Sequence, residues 1–489
     1  MSSLSSAYYQ LEPQSVWRHF GALNSIPRPS GQEEAARLHI QSLAEENGAL
    51  WKIDARGNLC VRVPPRGGVP NAFAPIVVLQ SHLDMVCQKR PDVTHDFDTD
   101  AIAPRRDGDK IYASGTTLGA DNGMGAAMMM AILTDDELIH PPLELLFTVE
   151  EETGLYGAAN LDAEIVRGRL LINLDSEDPD EITVGCAGGA STNLFLPIER
   201  EPKPDSMFRE IKISGLQGGH SGIQIGEPLG SSLKILSGIL DELTLVCPDL
   251  RLVSLDGGTA HNAIPRDANA VVALPSAQFA DFEASLDHQT TALRAFWGHN
   301  EPGLMVSSHS APDREAPLSA THHQLTLGLL RDLPHGVQQM SARFAGKVQT
   351  SSNLAEIHSE TAQIVFCVSN RSFVAEELAG MQKKVAELGR IAGATVEVRD
   401  GYPGWEPRGD SFLLQKTAKA FEKATGRAAK IEVVHAGLEC GLLSEKLPDL
   451  DAVSFGPLIR GAHTPEEWVS ISSVEEIYGV LTTLLRDLA

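Results

Sequence analysis

Three apolar runs limit what this chain can fold into more than any other feature. "IVVLQSH" (76–82), "LELLFT" (143–148) and "LLIN" (170–173) read as buried strands. Between and before them lie segments with helical spacing. "EPQSVWRHFGALNSIP" and "SGQEEAARLHIQSLAEENG" read as two opening helices, the second with Ala36, Leu38, Ile40 and Leu43 on one face and an end near Gly48. "LGADNGMGAAMMMAIL" is a glycine-rich turn running into an apolar helix, and "WKIDARGNLCVRVP" alternates like a strand with a turn at Gly57-Asn58. Strands that alternate with helices predict an α/β domain whose mixed, mainly parallel sheet is flanked by helices.

The pattern changes after "GCAGGA". From about Asn193 the chain reads as strand-helix pairs, in "FREIKISGLQGG", "LGSSLKILSGILDELTL", "LRLVSLDGG", "QIVFCVSNRS" and "FVAEELAGMQKKVAELGRIAG". This stretch predicts an inserted α+β domain. "GYPGWEP" reads as a linker, after which helix-strand alternation resumes. A chain of 489 residues calls for two or three domains. The expected division is 1–186 with 401–489 as one discontinuous domain and 187–400 as the insertion. No short-period repeat is visible; whether the insertion is a worn duplication stays open.

Composition excludes several functions. A formal net charge of −25 argues against nucleic acid or an anionic membrane as partner, because phosphates need Lys and Arg. The same balance tolerates carboxylate clusters that a bound cation would neutralise. The first twenty residues carry no basic-then-apolar leader, and no apolar run approaches the length of a membrane span. The six cysteines are scattered without a CxxC pair, which reads as reduced thiols of a cytoplasmic protein.

What stands at the ends of the strands carries the chemistry. His82 and Asp84 end the first run, Glu150, Glu151 and Glu152 the second, and Asp175 the third. Asp121 sits in the turn "GADNG", and His463 lies in "IRGAHTPEEW" after the strand "AVSFGP". Sites in α/β sheets form outside the carboxyl ends of strands. Imidazole and carboxylate suit Zn²⁺ and similar divalent ions. Two ions about 3.5–4 Å apart need one shared carboxylate and two further ligands each. His82, Asp121, Glu152, Asp175 and His463 supply that number. Asp84, two residues from His82, is expected on the same strand face, accepting a hydrogen bond from the other ring nitrogen. Taken singly, each residue has a plainer explanation: a structural histidine, a solvated acidic turn, a glycine turn.

Together, "SHLDMV", "GADNGMG", "EEETG", "NLDSED" and "GAHTPEEW" resemble, in order, the metal motifs of the M20 metallopeptidase family. "GGHSG" (218–222) and "GGTAHNAIPRDA" resemble its lid-domain motifs, so the likeness covers nearly the whole chain. The resemblance implies a zinc-peptidase-like fold with the insertion as lid and dimerisation domain. It implies two Zn²⁺ per chain, with Mn²⁺ or Co²⁺ as substitutes. His82 and Asp175 would hold one ion, Glu152 and His463 the other, and Asp121 would bridge them. Asp84 would orient His82, and Glu151, anchored by Gly154, would be the general base. A register shift by one residue would instead give these roles to Glu150 and Glu151. The Asp121-Asn122 peptide is expected to be cis. His220 would support the oxyanion, acting across a homodimer built through the lid. Asn262, Arg371 and the backbone at Gly437 would hold the substrate, with His261 and His435 structural.

The long insertion and "SNRS" around Arg371 resemble the branch of the family that cleaves aminoacyl-histidine. The implied activity is hydrolysis of Xaa-His and related unblocked dipeptides, such as β-alanyl-histidine, by metal-activated water. Two alternatives remain at this stage. One is another hydrolase on the same scaffold: a tripeptidase, carboxypeptidase or N-deacylase. The other is a non-catalytic metal- or peptide-binding protein.

Overall fold

The computed structural model describes residues 6–67, 74–203, 205–312, 315–399 and 401–489. The chain divides into two compact units. The first comprises Met1–Cys186, Trp405–Val433 and Leu438–Ala489; the second comprises Ala187–Gly404 and Val434–Gly437. Asp400, at the edge of the expected insertion, lies outside the described residues, while 401–404 and Val434–Gly437 group with the second unit.

The first unit is built on an eight-stranded sheet. Its centre is parallel: Leu143–Thr148, Val77–His82, Leu170–Asn173 and Asp451–Ser454 lie side by side in that order. Val77–His82 and Leu143–Thr148 are buried at every position, which is why their sequences show no alternation. The edges are antiparallel: the hairpin Leu50–Ile53/Leu59–Val63 closes one side, and Glu181–Cys186 adds to the other. Helices Ala120–Leu133 and Phe412–Thr425 pack on the sheet, and Gln14–Asn24 and Ile471–Leu488 pack on them in turn, with Trp17, Phe20, Met128 and Leu481 each fully buried. Burial of a side chain of this size contributes about 1.5–3 kcal/mol.

The second unit is an antiparallel sheet covered by helices. A four-stranded part and a five-stranded part meet where Arg251–Gly257 pairs with Val348–Ser359, and among the described residues Gly257 and Ile357 form the one ladder pair there. Helices Ser232–Val246, Phe279–Trp297, Ala320–Asp332 and Ala375–Ile391 accompany the strands, with a core of Leu236, Leu240, Phe282, Leu330, Phe366 and Val385. All six cysteines are free thiols.

Candidate metal centre

Parallel strands deliver their carboxyl ends to one edge, and that edge of the first unit gathers the polar residues. His82 is the last residue of its strand and 1% exposed. The loops after Thr148 and Asn173 carry Glu151, Glu152 and Asp175. Asp121 lies in the first turn of the helix Ala120–Leu133. Gly119 just before it has φ +68°, and a Cβ there would stand 2.4 Å from an Arg28 nitrogen, so this turn requires glycine. The Asp121-Asn122 peptide is cis. His463 has φ +64°, which side-chain-bearing residues rarely adopt and which collects at functional positions.

The centre has a two-sided geometry. Asp121 Oδ1 lies 3.1 Å from His82 Nε2, and its Oδ2 lies 3.3 Å from His463 Nε2. His82 Nε2 also faces Asp175 Oδ1 at 3.4 Å, and His463 Nε2 faces Glu152 Oε2 at 3.0 Å. Each oxygen of one carboxylate is thus matched to a histidine and a further carboxylate. Ligand atoms of His82, Asp121 and Asp175 fall within 4.8 Å of one another, as do those of Asp121, Glu152 and His463. Two atoms each about 2.1 Å from one tetrahedral ion stand about 3.4 Å apart, the spacing found here. Glu152 Oε1 is buried without a hydrogen-bond partner, as a carboxylate reserved for a cation would be.

Asp84 does more than support His82. The strand stops at His82, so Asp84 does not share a strand face with it. The ring's Nδ1 lies 3.1 Å from the Asp84 backbone carbonyl and 3.4 Å from its carboxylate. The carboxylate accepts the backbone N–H groups of Glu151 and Glu152, both at 3.1 Å, and the Ser30 hydroxyl at 2.7 Å. Asp84 therefore ties the histidine motif to the acidic one. Glu150 turns elsewhere and pairs with Arg56, whereas Glu151 and Glu152 both lie within ligand distance of His82.

Electrostatics explain why such a cluster needs a counter-charge. Burial pushes the Glu151 carboxyl well above its ordinary range, and Asp175, Glu439 and Glu152 add to the shift against His82. Burial would depress the His82 imidazole, but the Asp175 charge and hydrogen bonds to Asp121, Asp175 and Asp84 raise it well above 6.5. Hydrogen bonds to Asp121 and Glu152 lift His463 to about 11. Divalent cations would relieve this repulsion, and the donor set matches zinc and its neighbours.

The other expected residues lie in the second unit. His220 Nδ1 accepts the backbone N–H groups of Gly222 and Ile223, at 3.2 and 3.1 Å, which leaves the ring proton on Nε2. Arg371, 7% exposed, donates from Nη1 to the Tyr402 hydroxyl at 2.6 Å. A Cβ on Gly222 would meet the His435 carbonyl, the His220 ring and the Arg371 guanidinium, so this glycine lets the three converge. A Cβ on Gly437 would stand 2.6 Å from the Tyr402 ring, so glycine is what lets the two approach. His435 Nε2 sits 2.8 Å from Ser351 Oγ. Asn262 is exposed and touches the group only through its carbonyl, which accepts Ser221 N–H at 2.8 Å, and His261 is exposed beside it.

Residues 78–487 match the model of peptidase family M20/M25/M40. The chain belongs to this family. It is therefore a hydrolase of peptide bonds. The cytosol non-specific dipeptidase of Escherichia coli K12 is 37% identical over all of this chain and 99% of its own length. The aminoacylhistidine dipeptidase of Vibrio alginolyticus superposes with a TM-score of 0.91 at 36% identity, covering 100% of this chain and 99% of that one. Aminopeptidase PepT of Bacillus cereus shares the fold at a TM-score of 0.58 and 16% identity, with 98% of this chain covered.

Sequence reasoning passed over several residues of this M20 peptidase that the structure places at the centre. Glu439 lies under the strand ends, accepting Gln80 at 2.6 Å and Thr148 at 2.8 Å; burial and the Asp175 charge push it up to about 7. Glu177 is pushed up to about 8 by burial and by Asp121 and Asp175. Buried Arg28 donates to the carbonyls of Leu83, Asp84 and Gly119. Glu467 accepts backbone amides beside Asp121. The available signal was an acid amid apolar neighbours in "GLECGLL" and an arginine between prolines in "IPRPS".

Proposed function

We propose that the chain is a dinuclear zinc dipeptidase that cleaves unblocked dipeptides, Xaa-His and β-alanyl-histidine among them. The observation that carries this reading is Asp121, whose two oxygens each face one histidine and, beyond it, one further carboxylate. His82 and Asp175 would hold one ion, and Glu152 and His463 the other. Mn²⁺ and Co²⁺ suit the same donors. The full-length likeness to two dipeptidases supports the substrate class, and the name of the Escherichia coli relative supports a cytosolic location.

Bound metal supplies Lewis acidity toward the scissile carbonyl and acidifies the attacking water. Glu151 takes the water's proton as its oxygen bonds to the carbonyl carbon. It returns the proton to the leaving nitrogen as the C–N bond breaks. Asp84 fixes Glu151 through its backbone amide and His82 through its ring. His220 offers its Nε2 proton to a developing oxyanion, in a homodimer formed through the second unit. Arg371 recognises the substrate carboxylate as a charge-assisted donor, with Asn262 and the Gly437 backbone beside it in recognition.

The test is a panel of dipeptides, tripeptides and N-acylated peptides offered to metal-stripped protein with and without Zn²⁺. Cleavage of free dipeptides restored by zinc is the expected result. Zinc-dependent cleavage of only longer or blocked substrates would discard the dipeptidase and keep the centre. Two bound ions without any cleavage would discard the enzyme assignment of this site.

A further inference from the structure

We infer that Glu467 is a positioning residue that sets where Asp121 stands relative to His463. This rests on the reading of these two side chains as metal ligands. Glu467 is 2% exposed, and among the described residues the hydrogen bonds of its carboxylate all go to backbone amides. Its Oε2 accepts the N–H groups of Leu118 at 2.7 Å and Gly119 at 2.9 Å. Its Oε1 accepts those of Ala120 at 2.8 Å and Asp121 at 3.3 Å. One carboxylate thus takes four consecutive amides, two just before the helix Ala120–Leu133 and two in its first turn, where the helix leaves its N–H groups unsatisfied. Arg28 grips the same turn from its carbonyl side at Gly119, 2.6 Å away.

The other end of Glu467 leads to His463. Residues 461–467 form a compact loop in which Thr464 N–H reaches the Gly461 carbonyl and Glu467 N–H reaches the Thr464 carbonyl, both at 3.1 Å. A Cβ on Gly461, at φ +69°, would stand 3.0 Å from the Glu466 carbonyl oxygen, so the loop closes tightly on itself. His463 and Glu467 therefore move as one piece, and the carboxylate pins that piece to the turn bearing Asp121. A helix cap would need one or two of these bonds. Four bonds along 118–121 fix the orientation of the Asp121 backbone as well.

A glutamine at this position keeps the shape but replaces one acceptor oxygen with a donor. Two of the four amides would then face an NH₂ group, leaving buried donors unpaired. The expected consequence is a displaced Asp121 on the His463 side, with the His82 side held by Asp84 and the sheet.

The experiment titrates metal-free full-length protein with Zn²⁺ by calorimetry. It also follows hydrogen exchange of peptides spanning 118–121. Wild type should bind two ions, and its metal-free 118–121 amides should exchange at least 100-fold slower than unstructured chain. In Glu467→Gln one ion should bind at least tenfold more weakly. kcat should fall at least tenfold with KM within about twofold, and the amides should lose protection. Glu466→Gln, at an exposed neighbour paired with Arg90, should match wild type. Glu467→Asp keeps both acceptor oxygens and should fall between. Two ions at wild-type affinity in Glu467→Gln would overturn the inference while leaving the metal reading intact. Wild type that takes up no metal would remove the metal reading and the inference with it. If Glu467→Gln fails to fold, unprotected 118–121 amides in the wild type would overturn the inference, and protected amides with weakened binding in Glu467→Asp would support it.

Discussion

The acid cluster at the strand ends and the histidine-arginine cluster of the second unit are both largely buried, yet they are held by different kinds of partner. In the first, most of the acids are tied to backbone amides or to histidines, although Glu152 Oε1 and Glu439 Oε1 stay unpartnered. Asp84 takes two amides and a hydroxyl, Asp121 faces two histidines, and Glu467 takes four amides. In the second, atoms are left without partners: Arg371 Nε and His435 Nδ1 are buried and unbonded. Burial raises the first cluster's Glu151, while in the second it holds the imidazoles neutral, His220 at about 4 and His435 at about 3, with Arg371 adding to both shifts. On the function proposed above, the first cluster would hold ions through its unpartnered carboxylate oxygen, and the second would offer the unbonded Arg371 Nε to a substrate carboxylate.

The largest test of this contrast is Glu151→Gln. Turnover should fall roughly 10²–10⁴-fold while metal content stays at two ions per chain, read by activity and elemental analysis on one sample. Retained turnover would move the general base elsewhere. Arg371→Met should act on the other cluster, raising KM for dipeptides by roughly 10- to 150-fold with metal binding untouched. An equal drop in metal affinity would break the division of labour. Asp84→Asn should weaken metal affinity or activity roughly 10- to 100-fold, since an amide cannot accept both neighbouring N–H groups. Tyr402→Phe, which removes only the hydroxyl bonded to Arg371, should raise KM by about 2- to 10-fold without changing kcat.

The smallest expected effect concerns acid. His323 and His335 of the second unit are also depressed to about 4, chiefly by burial. Their folded values lie below the unfolded 6.5, so the unfolded chain binds more protons between these limits. Their contribution to stability is complete above about pH 6.5 and is lost as pH falls toward 4. The thermal midpoint of metal-free protein should decline over that window. His323→Asn, which keeps an acceptor for the Leu252 amide, should flatten the slope. An unchanged slope in that variant would remove His323 from the account.

Much of the first unit was legible because strands buried on both faces announce themselves as unbroken apolar runs. The residues at or just after their ends stand out for the same reason: His82, Glu152 and Asp175 are costly at such places without a partner, whereas Asp121 and the exposed His463 stood out by their motifs. What stayed hidden answers to backbone. Glu467 bonds amides some 346 residues away in sequence, and no side-chain pattern records them. The expected strand-face relation of Asp84 to His82 gave way because the strand ends at His82, two residues before Asp84, and the carboxylate found the amides of Glu151 and Glu152 instead. The middle region hid its organisation more fully, since two antiparallel half-sheets joined through a single residue pair leave no periodic mark.

By itself the sequence determined the alternating α/β framework, the acidic balance and which residue types cluster at strand ends, because hydrophobic burial acts on composition and spacing. Only the tertiary structure decided which oxygen faces which nitrogen, which acid is turned out to Arg56, and which carboxylate holds the turn under Asp121. Those outcomes depend on hydrogen bonds of directed geometry between segments 39 to 346 residues apart, and spacing along a chain carries no information about direction in space.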